Sequence, residues 1–249
     1  MKSCFRFPLA LLLLVAAMSV PAETNTRITT ATFQWQTSHH GTWQYLQYLP
    51  PGYDPAGSKK WPLMLFLHGA GERGSDVHRV AIHGPLHHVQ QGQHFPFIIV
   101  APLCPANQLW KNEPLLALLD HLVATHRVDE KRIYLTGLSM GGYGTWNLGI
   151  AHPERFAAIA PICGGANMID VMLGTWDKKS ALQQLPIWAF HGAEDEVVPV
   201  TESERVVNAL KKGGVKNIRL TIYPQTKHDS WKPAYADPGF YEWLLKQSR

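Results

Sequence analysis

Cysteine is scarce. The 249 residues hold three, and one of them, Cys4, sits in an apolar N-terminal stretch. That leaves Cys104 and Cys163, enough for one bridge at most and equally compatible with two buried thiols. Charge is thin as well: charged residues make up 17% of the chain and the formal net charge is +4. There is no block of like charge, low-complexity tract, internal repeat or dividing linker. This balance argues against nucleic acid or an anionic membrane surface as partner. After the N-terminal stretch, no apolar run approaches the roughly 20 residues that cross a bilayer, so no integral membrane segment is expected. The 13 histidines include His39-His40 and His87-His88. They come without a His-Glu-x-x-His pattern or a thiolate pairing, so neither a metal nor another cofactor is expected.

The N-terminus has the form of an export leader. Lys2 and Arg6 precede an apolar run from Pro8 to Val20, and Val20-Pro21-Ala22 offers small residues for cleavage after Ala22. No cysteine stands at that point to carry a lipid. The expectation is an exported protein, periplasmic or extracellular, with residues 1–22 removed and 23–249 forming one catalytic domain. Lys2 and Arg6 leave with the leader and no acid does, so 23 basic and 19 acidic residues become 21 and 19.

Along the rest of the chain, short apolar runs alternate with helix-like stretches, the pattern of a mostly parallel sheet covered on both faces. Residues 31–36 and 42–48 form an opening antiparallel pair. Buried strands are expected over 61–67, 97–101, 133–136, 157–162, 187–190 and 218–223. Helices are expected over 114–127, 141–152, 201–212 and 238–246. Thr201 with Glu204 makes a capping box, and Gly213-Gly214 closes that helix. Residues 73–93, 103–112 and 164–185 are less regular.

The densest chemical signal is Gly137-Leu138-Ser139-Met140-Gly141, between the strand-like Ile133 to Thr136 and a helix-compatible stretch. A strand–turn–helix context gives the G-x-S-x-G pattern its meaning. The turn must be sharp enough to lift the serine hydroxyl off the backbone, and small residues two positions either side allow it. A serine needs an adjacent base. His228 follows the strand 218–223, and Asp195 follows the strand 187–190, in the order Ser, Asp, His. Asp195 would orient the His228 ring, which would take the proton of Ser139. Glu194 and Glu196 flank the chosen acid and compete with it. His191 and His68 also end strands, but each precedes a glycine in a tight turn, where a structural hydrogen bond explains it.

A third element, His68-Gly69-Ala70-Gly71-Glu72-Arg73-Gly74, follows the strand 61–67 directly. Its backbone suits an oxyanion. The N–H groups of Ala70 and Met140 are the proposed donors, with Gly69 and Gly71 as alternatives to Ala70. No Gly-Lys-Ser/Thr follows to support a nucleotide.

These segments, together with Ala-Pro-Leu-Cys-Pro at 101–105, Trp110, Pro-Ile-Cys-Gly-Gly at 161–165, His-Gly-Ala-Glu-Asp at 191–195 and His-Asp-Ser-Trp at 228–231, carry a resemblance. The chain resembles the α/β-hydrolase superfamily over about residues 30–246. Within it, the chain is similar to secreted carboxylesterases near the phospholipase/carboxylesterase and dienelactone-hydrolase-like families. Some of those relatives are described as peptidases or polyester depolymerases. The resemblance implies a three-layer α/β fold without a large lid, with Ser139 as nucleophile, Asp195 as acid, His228 as base and the loop after His68 as oxyanion site. Trp110 and Trp231 are candidates for lining the substrate cleft. The expected activity is cofactor-free hydrolysis of small or aromatic acyl esters, free or polymer-linked, through an acyl-enzyme. A serine peptidase and a non-catalytic binding protein of the same fold are the alternatives.

Overall fold

The computed structural model describes residues 28–37 and 40–249; the expected leader, residues 1–22, lies outside them, as does His39. The chain runs β1 (Ile28–Gln36), β2 (His40–Tyr48), β3 (Trp61–Leu67), α1 (Pro85–Gln90), β4 (Ile98–Pro102), α2 (Asn112–Thr125) and β5 (Val128–Leu138). It continues through α3 (Met140–Ala151), β6 (Ala158–Ile162), α4 (Met168–Asp177), α5 (Lys179–Gln184) and β7 (Ile187–Gly192). The last elements are α6 (Thr201–Lys212), β8 (Ile218–Tyr223), α7 (Trp231–Ala236) and α8 (Pro238–Leu245).

Strand β3 shows how the sequence sets the layers. All of its residues are buried, and the two-residue period of a strand sends Leu63, Leu65 and Leu67 to one face and Met64 and Phe66 to the other. The first face belongs to the core that also holds Leu115, Leu118 and Leu122 of α2, Trp146 of α3 and Val206 and Leu210 of α6. The second belongs to the core that holds Leu86 of α1, Tyr235 of α7 and Phe240 and Leu244 of α8. The result is the expected three-layer arrangement around one sheet of eight strands, in the order β1-β2-β4-β3-β5-β6-β7-β8. β1 and β2 are antiparallel, and β2 also meets β4 antiparallel. Every pairing from β4 onward is parallel. The C-terminal ends of β3, β5, β7 and β8 therefore lie along one edge, where an α/β sheet keeps its ligands.

Two expectations need revision. Residues 164–185 are not irregular but carry α4 and α5. Thr201 does not cap α6: it is the first helical residue, Val200 precedes it in helical conformation, and no side chain caps the end. The Glu202 N–H goes to the Pro199 carbonyl at 2.9 Å instead. The capping box fails because the chain enters α6 already turning. Of the two alternatives left open for the cysteines, the structure shows two thiols, both free and buried. Cys104 belongs to the core on one face of the sheet and Cys163 to that on the other, so the sheet separates the two thiols.

Leu135, in the centre of β5, is fully buried. Leu135→Ala should lower the unfolding free energy by about 2–5 kcal/mol in urea titration, with an unchanged m-value.

Candidate active site

One residue, Ser139, separates β5 from α3, and its backbone sits at φ 54°, ψ −117°. A side chain rarely adopts that conformation unless its surroundings impose it. Here they do. The Ser139 N–H donates to the Ile162 carbonyl at the end of β6 (3.0 Å), and the Tyr143 N–H returns to the Ser139 carbonyl (3.0 Å). The first turn of α3 passes so close to β3 that a Cβ on Gly141 would collide with the Leu67 carbonyl. A Cβ on Gly137 would stand 2.5 Å from the Gly141 carbonyl oxygen. The two glycines of the motif are thus steric requirements of a strand turning into a helix within one residue.

The structure brings the three separated residues of the sequence reading together. The Ser139 hydroxyl lies 2.9 Å from His228 Nε2, and His228 Nδ1 lies 2.7 Å from Asp195 Oδ2. A carboxylate only accepts, so Nδ1 carries the ring proton and Nε2 is left to accept from the serine. The Asp195 carboxylate is fully buried, whereas the His228 ring is 21% exposed. Oδ1 of Asp195 accepts the Val197 and Val198 amides, both at 2.9 Å. Glu194 and Glu196, its competitors, are exposed. The loops bearing acid and histidine are joined: the Ala193 amide donates to the Tyr223 carbonyl (2.9 Å) and that of Glu194 to the Thr226 carbonyl (3.0 Å).

His191 is fully buried beneath this arm. Its Nδ1 is 2.7 Å from Ser203 Oγ, and its Nε2 is 2.8 Å from the Val198 carbonyl and 3.3 Å from Asp195 Oδ2. Burial lowers its basicity, outweighing the upward pull of the Val198 carbonyl and Asp195. It is therefore a neutral ring holding the acid loop, the structural role expected of it.

His68 has the same role in the glycine-rich loop. The Cys104 amide donates to its Nε2 at 3.0 Å, so Nδ1 bears the proton and donates to the Gly69 carbonyl at 2.6 Å. That carbonyl belongs to the peptide whose N–H is Ala70. The same loop is tied down by Arg73 Nε on the Ala70 carbonyl (3.0 Å) and by Arg79 on the Gly71 carbonyl (2.6 Å). Ala70 and Met140 are each the first residue of a helical turn, so neither N–H has an acceptor within its own helix. Both residues line one cleft of about 400 Å³.

Trp110 forms a wall of that cleft but is 92% buried, being only 8% exposed. Its ring packs edge-on against His68 and Trp43, and its Nε1 donates to the His68 carbonyl at 3.1 Å. Trp231, the other candidate, is not among the residues that line this cleft; its ring stands perpendicular to the His228 ring at 5.4 Å and beside His83. The sequence reading missed Arg73, Leu109, Tyr143 and Asn147, which complete the cleft wall. Tyr143 and Asn147 follow Ser139 at intervals of four, a helical spacing that could have pointed to them.

Among the described residues, Cys163, Asp195 and His228 bring potential metal-ligating atoms within 4.8 Å of one another. Two of them already satisfy each other, and burial pushes the Cys163 thiol up to about 12, which disfavours a thiolate ligand. The arrangement suits proton transfer from a hydroxyl better than ion binding.

The model of the phospholipase/carboxylesterase family matches residues 110–237, just over half of the chain. The chain belongs to this family. It is 26% identical over 194 residues to the poly(3-hydroxyoctanoate) depolymerase of Pseudomonas fluorescens, spanning 69% of each protein. It is 31% identical over 113 residues to a bifunctional acetylxylan esterase/xylanase of Neocallimastix patriciarum, but spans only 14% of that protein and 45% of its own length. Among solved structures, a thermostable esterase shares 34% identity at a TM-score of 0.71, with 88% of this chain and 63% of that one covered.

This phospholipase/carboxylesterase-family chain has a stability signature at its glycine-rich loop. Burial lowers the His68 imidazole from 6.5 to about 4. Between those values the unfolded ring takes up a proton and the native ring does not, so acidification costs stability; the contribution is complete above pH 6.5 and gone below about pH 4. Unfolding free energy measured against pH should fall over this window by up to about 3 kcal/mol on account of His68. The slope should be shallower in His68→Gln.

Proposed function

We propose that this protein is a serine carboxylic-ester hydrolase, with Ser139 as nucleophile, His228 as general base and Asp195 as the acid that orients it. The reading is carried by the contact chain from Ser139 Oγ to His228 Nε2 (2.9 Å) and from Nδ1 to Asp195 Oδ2 (2.7 Å). Ser139 Oγ attacks the ester carbonyl carbon while its proton passes to His228 Nε2, and Asp195 stabilises the imidazolium. The carbonyl oxygen becomes an oxyanion facing the Ala70 and Met140 amides, at the positive end of α3. Collapse breaks the bond to the alcohol, which leaves with the proton of His228. Water, deprotonated by the same ring, then releases the acid and restores Ser139.

The cleft supports a small or aromatic acyl group, free or polymer-linked: Leu109, Trp110 and Tyr143 give it apolar walls. Export after removal of residues 1–22 belongs to the same proposal, and mass spectrometry of the exported protein should find Glu23 at its start.

Ser139→Ala should reduce kcat on p-nitrophenyl acetate and butyrate by about 10⁴-fold or more, without loss of fold. Native protein should label with a fluorophosphonate and leave peptide anilides intact; anilide cleavage would indicate a peptidase, and no labelling a binding protein. His228→Ala should abolish turnover without loss of fold, because attack needs a base at Nε2. Retained turnover in that variant would remove His228 as base.

A further inference from the structure

Helix α4 is apolar on the side that meets water as well as on the side that meets the core. Val171 and Gly174 face the protein, while Ile169, Met172, Leu173 and Trp176 are 65%, 51%, 45% and 71% exposed. Their spacing of three, four and seven residues places them on one stripe of the helix. Single exposed apolar residues need no explanation, but four on ten residues of helix do.

This stripe connects with the active-site cleft. In α3 the partly exposed positions are Tyr143, Asn147 and Ala151, spaced by four along the line that starts at Ser139. Asn147 and Trp110 border both the cleft beside Met140 and a second cavity of about 550 Å³. The far wall of that second cavity includes Ala151 and, from α4, Leu173. Its charged rim is balanced, with Asp170 and Asp177 against Lys111 and Lys178. The exposed Leu109, at 67%, adds an apolar rim on the cleft side.

We infer that the α4 stripe is a docking surface for an uncharged, water-insoluble ester substrate, which it holds while one ester group reaches Ser139 along the α3 track. The inference rests on the ester-hydrolase reading. Two observations select this occupant. The stripe runs into the cavity that joins the cleft, so a second copy seated there would obstruct the track, whereas a substrate would use it. The balanced charges offer nothing to an anionic lipid headgroup.

The test compares native protein with the double variant I169Q/W176Q, whose changed side chains face water. Two assays are used: hydrolysis of dissolved p-nitrophenyl acetate, and adsorption to and hydrolysis of a poly(3-hydroxyoctanoate) latex. The variant should keep its kcat/KM on the dissolved ester within about twofold and lose about tenfold or more of its adsorption and latex hydrolysis. Equal adsorption by both proteins overturns the inference. So does light scattering that finds a native dimer which the variant dissociates, because a second copy then covers the stripe. Native protein inactive on the dissolved ester would instead refute the ester-hydrolase reading, a result separable from adsorption.

Discussion

The tight join between β5 and α3 governs the geometry of everything around it. A strand that becomes a helix across a single residue brings the helix back along the sheet edge, and the neighbouring strand ends then have to fit against its first turn. On one side this is the Leu67 carbonyl at the end of β3, against which Gly141 lies without room for a methyl group. On the other it is the end of β6, whose Ile162 carbonyl takes the Ser139 amide. Ser139 is thereby referenced to both neighbours at once. The glycine-rich loop continues directly from β3, so the distance from Ser139 to the Ala70 peptide follows from strand pairing. The unusual φ of Ser139 is the local cost of that arrangement, met by packing on both sides.

The acid and histidine are held differently. They lie on loops after β7 and β8, which pair in parallel through Gly192 and Tyr223. Backbone bonds between the loops carry that pairing outward to Asp195 and His228. The asymmetry in burial matters for chemistry. The Asp195 carboxylate is shut away among two amides and two imidazoles, so it has one place to be. The His228 ring is partly open, as the proposed exchange of protons with a substrate requires. Water excluded around the acid strengthens its hold on the ring.

How much of this was legible in the sequence follows from the range of each interaction. The serine motif could be read because its constraints are steric and local. Asp195 and His228 could be read because each directly follows a strand whose apolar pattern is clear. Helices α4 and α5 could not. Most of the apolar residues of α4 point to water and only Val171 and Gly174 are buried, so its pattern does not single out a buried face, and α5 is only six residues long. The failed cap at Thr201 depended on the conformation of Val200, which no local pattern reveals. The fate of the two cysteines depended on which side of the sheet each thiol lies, a one-residue matter of strand parity decided at the ends of β4 and β6. Arg73 was in plain view within the loop motif, but its hydrogen bond to the Ala70 carbonyl is a property of the folded turn.

Helix α3 separates the parts of the site that are fixed from those that are free to vary. Its core-facing residues, Trp146, Leu148 and Ile150, anchor it to the sheet, and its first glycines set the position of Ser139. The stripe through Tyr143 and Asn147 touches neither duty. These side chains form the cleft wall in helical register with Ser139, one and two turns from it, so replacing them alters what fits without moving the hydroxyl. Leu109 and the outer face of α4 share that freedom, because neither holds the sheet together. On the proposed reading, chemistry in this fold is set by the strand ends, and selectivity by one exposed line of a helix and the loops facing it.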